Sequence, residues 1–171
     1  MLETDAVALR KEVFAWYGGT AYAAQCFEVE LVILLLHAHR LRKPASTPQQ
    51  LDEIDLRLSK RTLGQLLNEL KEHFDLHPQF KSLLNEYIGK RNYLAHRFFY
   101  DNARNLLSRT GCESMIAELK TIHATMKEAD AVAQAVSGRL RNLLGISEEE
   151  MRKLVDEQLS RAAAGETDEK V

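Results

Sequence analysis

Met115-Ile-Ala-Glu-Leu119-Lys-Thr-Ile122-His-Ala-Thr-Met126-Lys-Glu-Ala129-Asp-Ala-Val-Ala133-Gln-Ala-Val136-Ser-Gly-Arg-Leu140-Arg-Asn-Leu143 is the most regular stretch of the chain. Its apolar residues, Met115, Leu119, Ile122, Met126, Ala129, Ala133, Val136, Leu140 and Leu143, are separated by alternating steps of four and three. Steps of that kind place every one of them on one stripe of an α-helix. Four heptads of stripe need a long apolar partner, either elsewhere in the chain or on a second copy. Thr110 and Glu113 have capping-box spacing just before the stripe, and Gly145 stands just after it.

Working towards the N-terminus, every long segment again has helical periodicity. Phe80, Leu83, Leu84, Tyr87, Ile88, Leu94 and Ala95 form the stripe of a helix that starts near Pro78 and ends or kinks around His96–Asp101. Asp101 is a candidate N-cap for a short continuation. Leu63, Leu66, Leu67 and Leu70 follow a Thr62/Gln65 capping box. Residues 42–61 hold Pro44, Ser46, Thr47 and Pro48 in a loop, and 49–58 suit a short helix or an excursion. Residues 20–41 are apolar nearly all round apart from Gln25, Glu28 and Glu30, as in a central buried helix. Gly18-Gly19 separates them from an amphipathic helix over 4–16 with Val7, Val13, Phe14 and Trp16. The expected fold is all-α: one up-and-down helical bundle of four to five main helices. It occupies residues 1–145. An accessory helix over 146–163 follows, capped by Ser147 and Glu150 and faced with Met151, Leu154, Val155 and Leu159. Residues 164–171 have the composition of a flexible tail.

The 171 residues are 45% hydrophobic and 28% charged, ordinary for a globular chain and too apolar for a disordered one. Eight glycines and three prolines are too few for an all-β fold. Cys26 and Cys112 form no CxxC, so neither a disulfide framework nor a cysteine zinc site is expected. The start, Met-Leu-Glu-Thr-Asp, has no visible secretory signal, and the longest aliphatic run, Leu31 to Leu36, is far short of a membrane span. A cytoplasmic location is the expectation, with no membrane partner. The net charge is −2, yet residues 148–171 hold eight acids and four bases, which leaves +2 on the remainder. Lys90, Arg91, Arg97 and Arg104 form a local basic cluster, either a solvated face or an RNA-contacting one.

That cluster brackets Lys90-Arg91-Asn92-Tyr93-Leu94-Ala95-His96-Arg97-Phe98-Phe99. Extending the stripe past Leu84 and Ile88 puts Arg91 on the face that should be buried or at an interface. A buried guanidinium needs a carboxylate, and Glu28 on the apolar helix is the candidate, with Gln25 one turn before it. Asn92 and His96, four apart, share a helix face. Arg91 and His96 diverge by about 140° on a regular helix. They converge only if the helix ends near His96 or a second copy supplies the complement.

Arg91, Asn92 and His96, with Tyr93, Leu94 and Ala95 between them, resemble the signature of the HEPN superfamily. Tyr22, Gln25, Glu28, Thr62 and Gly64 are similar to upstream features of one bacterial branch. The resemblance spans roughly residues 14–144. It implies a helical bundle that dimerises and brings two motifs into one cleft. Many members are metal-independent endoribonucleases, including toxins and phage-defence effectors, and need no cofactor. On that pattern His96 is the general acid or base, Arg91 stabilises the phosphorane-like transition state, and Asn92 orients His96 or the phosphate. Cleavage would leave 2′,3′-cyclic phosphates. Glu28 and Gln25 would hold Arg91 in place, and Lys90, Arg97 and Arg104 would contact RNA. The implied partners are a second copy, RNA and an antitoxin protein. In some toxin members a tyrosine two residues after the histidine is modified by the antitoxin; this chain has Phe98 there, and its nearest tyrosine is Tyr100. The alternative is a non-catalytic HEPN-like domain that binds RNA or a nucleotide, or that acts as a protein-interaction scaffold, since fold does not fix function.

The other titratable groups attract plainer readings. His37 and His39, beside Arg40, Arg42 and Lys43, suit a helix C-terminus at the surface, with phosphate contact as the alternative. His73 and His77 have the four-residue spacing of metal ligands, but Pro78 intervenes and no nearby Cys or carboxylate completes a site, so no metal is expected. Phe98, Phe99 and Tyr100 suit core packing, with base stacking as the alternative.

Overall fold

The computed structural model describes residues 2–149 and, beyond them, 152, 153, 155, 156 and 160. Among these residues there is no strand. The helices are α1 (Leu2–Arg42), α2 (Pro48–Ser59), α3 (Leu63–His73), α4 (Pro78–His96), α5 (Phe98–Asp101) and α6 (Arg109–Leu143), with a 3-10 turn at Asn105–Leu107. The expected all-α bundle is present.

α6 finds its partner within the chain. Met115, Leu119, Ile122, Met126, Ala129, Ala133 and Leu140 are buried, and so are Val13, Thr20, Ala24, Phe27, Leu31, Leu34 and Leu35 of α1. The two helices run parallel. Trp16 meets His123 edge-on at 5.7 Å, and His37 Nδ1 lies 3.3 Å from Ser137 Oγ. α4 runs antiparallel to both. Tyr17 donates to the Leu94 carbonyl, Tyr87 to the Ala24 carbonyl and Lys90 to Thr125 Oγ1. The three long helices therefore go up, down and up. Each wholly buried Leu or Phe in this core contributes about 1.5–3 kcal/mol. Leu143, the last residue of the stripe, is exposed.

Gly18-Gly19 does not break the helix, contrary to expectation. One apolar stripe, Val13, Thr20, Ala24 and Phe27, passes through the pair and stays on the core side. The Thr20 hydroxyl also donates to the Trp16 carbonyl at 2.7 Å. That packing outweighs the roughly 1 kcal/mol by which each glycine disfavours a helix interior. By length and composition the resulting helix could cross a membrane, with a mean hydropathy of 1.4 in its apolar window. In this fold its inner face is the one covered by α6, α4, α2 and α3.

The caps match the sequence in part. Thr47/Gln50 and Thr62/Gln65 form complete capping boxes on α2 and α3, so 48–59 is a helix. Asp101 ends α5 rather than capping it. α6 is capped by Ser108, which accepts from the Gly111 amide, and not by Thr110. The reason is steric. The 3-10 turn lies so close to Gly111 that a Cβ there would stand 2.2 Å from the Asn105 carbonyl oxygen, and α6 is entered two residues before Thr110, at Ser108. Gly145 has φ +74° and closes the C-terminal end, as its position suggested. Residues 148, 149, 152, 153, 155, 156 and 160 are helical, and Val155 is exposed. The expected Glu150 cap, the contacts of Met151, Leu154 and Leu159, and the tail over 164–171 lie outside the described residues.

At the C-terminal end of α1 the chain builds a polar corner. His39 Nε2 lies 2.7 Å from Glu69 Oε1 and 3.3 Å from Arg57 Nη2. Arg61 pairs with the other carboxylate oxygen of Glu69. Burial alone would push the Glu69 carboxyl up, but His39, Arg61 and Arg57 outweigh it and hold the group below the usual carboxylate range. Glu69 thereby ties α1, α2 and the loop before α3 to α3.

Candidate functional site

The Arg91–Glu28 pair expected from the sequence is formed. Arg91 Nε donates to Glu28 Oε1 at 3.0 Å, with 31% and 27% of the two side chains exposed. The pair sits at the wall of the bundle, not in its core. Tyr87, one turn before Arg91, fixes the register. Its hydroxyl is buried and donates to the Ala24 carbonyl at 2.9 Å, and burial followed by the Glu28 charge pushes the phenol far up. Two hydrogen bonds one turn apart therefore lock α4 on α1 at this point.

Arg91, Asn92 and Glu28 line an open cavity of about 510 Å³ together with Arg61, Thr62 and Gly64. Gln25 joins Glu28 and Arg91 in a smaller adjoining hollow walled by Tyr17 and Leu94. Within one chain the structure thus gathers Arg91, Asn92, Glu28 and Gln25. His96 is the last residue of α4, exposed, and lines neither cavity. α4 ends only at His96, which is still helical and so keeps its divergence from Arg91; the helix end does not bring the two together within one chain.

The basic cluster is divided. Lys90 does not face the cavity. Its Nζ donates to Glu86 at 2.7 Å and to Thr125 at 2.8 Å, in the seam between α4 and α6. At one position before Arg91 it points to the opposite partner helix, so it stands apart from the Arg91 cavity. Arg97 pairs with Asp101 and lies over the Tyr100 ring at 4.8 Å, largely exposed. Arg104 is exposed just before the 3-10 turn. The aromatic run is divided likewise. Phe98 is fully buried, Phe99 packs on Phe14 and Tyr17, and Tyr100 is exposed.

Arg61 was not legible as a site residue. It stands immediately before the Thr62 cap, in a segment that reads only as loop. The fold brings its guanidinium to the wall of the Arg91 cavity while Glu69 holds it from behind. The cavity wall therefore carries two guanidiniums, Arg91 paired with Glu28 and Arg61 paired with Glu69, whose remaining N–H groups suit a phosphate.

Two histidine readings need correction. His37 is not a surface residue. It is half-buried between α1 and α6, and burial, followed by the charges of Arg141 and Arg40, lowers its pKa to about 4. His73 and His77 do not form a pair on one helix. His73 ends α3, while His77 caps α4 by accepting from the Gln79 amide. His73 instead meets His39 ring to ring at 4.7 Å.

No family model, no curated protein and no solved structure matches this chain.

Proposed function

We propose that this chain is a HEPN-like, metal-independent endoribonuclease that acts as a homodimer. The observation that carries the reading is the open Arg91–Asn92 cavity. A guanidinium is held there by a carboxylate at the bundle wall, with a second guanidinium, Arg61, beside it and the helix ending at His96. In this reading RNA lies across the cavity. Arg91 and Arg61 contact the scissile phosphate and its neighbour. His96 moves a proton between the 2′-hydroxyl, which attacks the phosphorus, and the departing 5′-oxygen, and Asn92 orients the phosphate.

His96 lies outside the cavity of its own chain, so the reading requires a second copy. α1 offers the surface for it. Phe14, Tyr22 and Val29 are 55%, 69% and 59% exposed and follow one another at steps of eight and seven. They form an outer apolar stripe opposite the one on α6. Val29, Glu28 and Gln25 also line one cavity, so this stripe borders the Arg91 site. A copy docked along it would place one α4 end near the other chain's cavity. The heptad stripe of α6 cannot serve as that seam, because it is buried within the chain.

A second reading has its own observation. With His96 remote from the cavity, the same guanidiniums suit non-catalytic binding of RNA or a nucleotide. An endonuclease assay on mixed single-stranded RNAs in EDTA separates the two. Cleavage by the wild type, lost in both Arg91→Ala and His96→Ala, with cyclic-phosphate ends, supports the nuclease. RNA binding without cleavage, weakened by Arg91→Ala alone, supports the binding domain. Activity that survives both substitutions sinks the proposed site.

A further inference from the structure

We infer that His39, Glu69 and His73 form a binding site for a divalent transition-metal ion of the zinc class. The site lies at the corner between the end of α1 and the end of α3, apart from the Arg91 cavity. One ligand atom from each of the three residues falls within 4.8 Å of the others. The two imidazoles come from different helices and meet edge to face.

The donor atoms stand close to the spacing an ion requires. Zinc bonds of about 2.0–2.1 Å at tetrahedral angles require donor atoms roughly 3.3–3.5 Å apart. His39 Nε2 and Glu69 Oε1 are 2.7 Å apart, and His73 Nε2 and Glu69 Oε1 are 4.0 Å apart. Shifts of about 0.6–0.7 Å bring both to the required spacing, and the two imidazole donors, within 4.8 Å of each other, must close further as the ion enters. The His73 side chain is only 5% exposed, its Nδ1 is buried without a hydrogen-bond partner, and its Nε2 is too far from Glu69 to bond. The Nε2 lone pair faces the carboxylate without a hydrogen bond to it and is the one open to an ion, while the buried Nδ1 gains no partner from that ion. An ion seated between Nε2 and the carboxylate would close that 4.0 Å gap.

The carboxylate is already oriented for the task. Arg61 occupies Glu69 Oε2, and Oε1 is turned towards both histidines, with the Arg57 guanidinium also 3.6 Å from it. A ligating carboxylate is commonly held in this way through its other oxygen. Arg57 lies near His39 Nε2 but is 47% exposed, so it can swing into solvent as an ion enters. The three ligands open onto a hollow of about 390 Å³ that Arg42, Lys43 and Arg57 also line. Three protein ligands leave a fourth position free, and these cations favour an anion there, such as hydroxide or a phosphate oxygen.

The test is titration of the metal-free, full-length protein with Zn²⁺ by calorimetry and with Co²⁺ by visible absorption. His39→Gln and His73→Gln are run beside the wild type, all shown by circular dichroism to be equally helical. The expected result is one ion per chain with the d–d bands of a four-coordinate site. Either substitution should weaken binding at least about 100-fold, beyond the loss typical of an outer-shell partner. Should His73→Gln not fold, His39→Gln together with Arg61→Ala takes its place, since loss of the outer partner should weaken binding about 10–100-fold. The site is refuted if the wild type binds neither ion, or if either histidine substitution leaves affinity within about threefold of the wild type, far short of an outer-shell effect.

Discussion

Arg91 on α4 donates from Nε to Glu28 on α1 across 3.0 Å, and this pair, 63 residues apart in sequence, joins the two helices at the wall of the open cavity. Roughly a third of each side chain remains in water, so the pair contributes little to stability, about 0.5–1 kcal/mol after solvent screening. Glu28→Gln should therefore leave the urea midpoint nearly unchanged. Its effect should fall on RNA cleavage, because a misdirected Arg91 loses its aim at the phosphate. Cleavage should drop about 10²–10³-fold in Arg91→Ala and less in Glu28→Gln. Equal loss of activity and of folding in Glu28→Gln would show that the pair is only structural.

Arg61 should matter although nothing around it in the sequence marks it. It faces the same cavity as Arg91. Arg61→Ala should lower RNA affinity across sequences and reduce the salt slope of binding by about one. Filter binding at several salt concentrations reads both quantities. An unchanged slope would place Arg61 outside the RNA path and leave it as a partner of Glu69 only.

The dimer is tested on the outer stripe of α1. Tyr22→Glu with Val29→Glu places two charges where both side chains are already exposed, so helicity should be retained. Sedimentation should show a dimeric wild type and a monomeric variant. If the composite site is real, the variant should also lose cleavage about as severely as removal of the general acid or base, some 10²–10⁴-fold. A variant that is monomeric yet fully active would refute the composite arrangement.

The parts of this molecule that could be read from sequence are those governed by one periodicity. The stripe over 115–143 gave α6, and the run from Phe80 to Ala95 gave α4 with Arg91 on its inner side. The Thr62/Gln65 spacing gave the start of α3. Glu28 was legible as a partner because a guanidinium on an apolar face demands a carboxylate. What escaped was set by contacts between elements. The Gly18-Gly19 pair signals a break locally, and only the continuous seam with α6 overrides it. Ser108 replaces Thr110 as a cap because a 3-10 turn crowds Gly111. Lys90 is adjacent to Arg91 in sequence but a third of a turn away in space, which sends it to Thr125. Glu69 stands one turn before His73 on α3, a nearby carboxylate that the sequence reading passed over, whereas His39 lies 30 residues before Glu69 and joins them only through packing.

The glycine pair offers a direct check. Both residues are helical, exposed and have open space where a Cβ would stand. Neither has positive φ. Gly19→Ala should thus raise stability by about 0.5–1 kcal/mol through helix propensity and a less flexible unfolded chain. Urea unfolding at fixed protein concentration measures it. A destabilised variant would mean that the face at Gly19 is covered in solution.

Glu30 supplies the pH prediction. It sits between α1 and α6, where Oε1 is buried without a hydrogen-bond partner. Burial pushes its carboxyl above the ordinary range, a hydrogen bond from Ser137 and the charge of Arg141 pull it back, and Asp130 adds to the rise. His37, which also approaches Ser137, faces the same seam. The net direction is up. A carboxyl raised in the native state binds more protons there than in the unfolded chain, so its ionisation costs stability as pH rises through the window above its ordinary value. Glu30→Gln removes that cost. The variant should be more stable than the wild type at neutral pH, and the difference should shrink as pH falls into the ordinary carboxylate range, where the wild-type carboxyl is protonated in both states. Paired urea midpoints across that range measure the convergence. A variant less stable than the wild type at neutral pH would mean that the Arg141 attraction outweighs burial at this position.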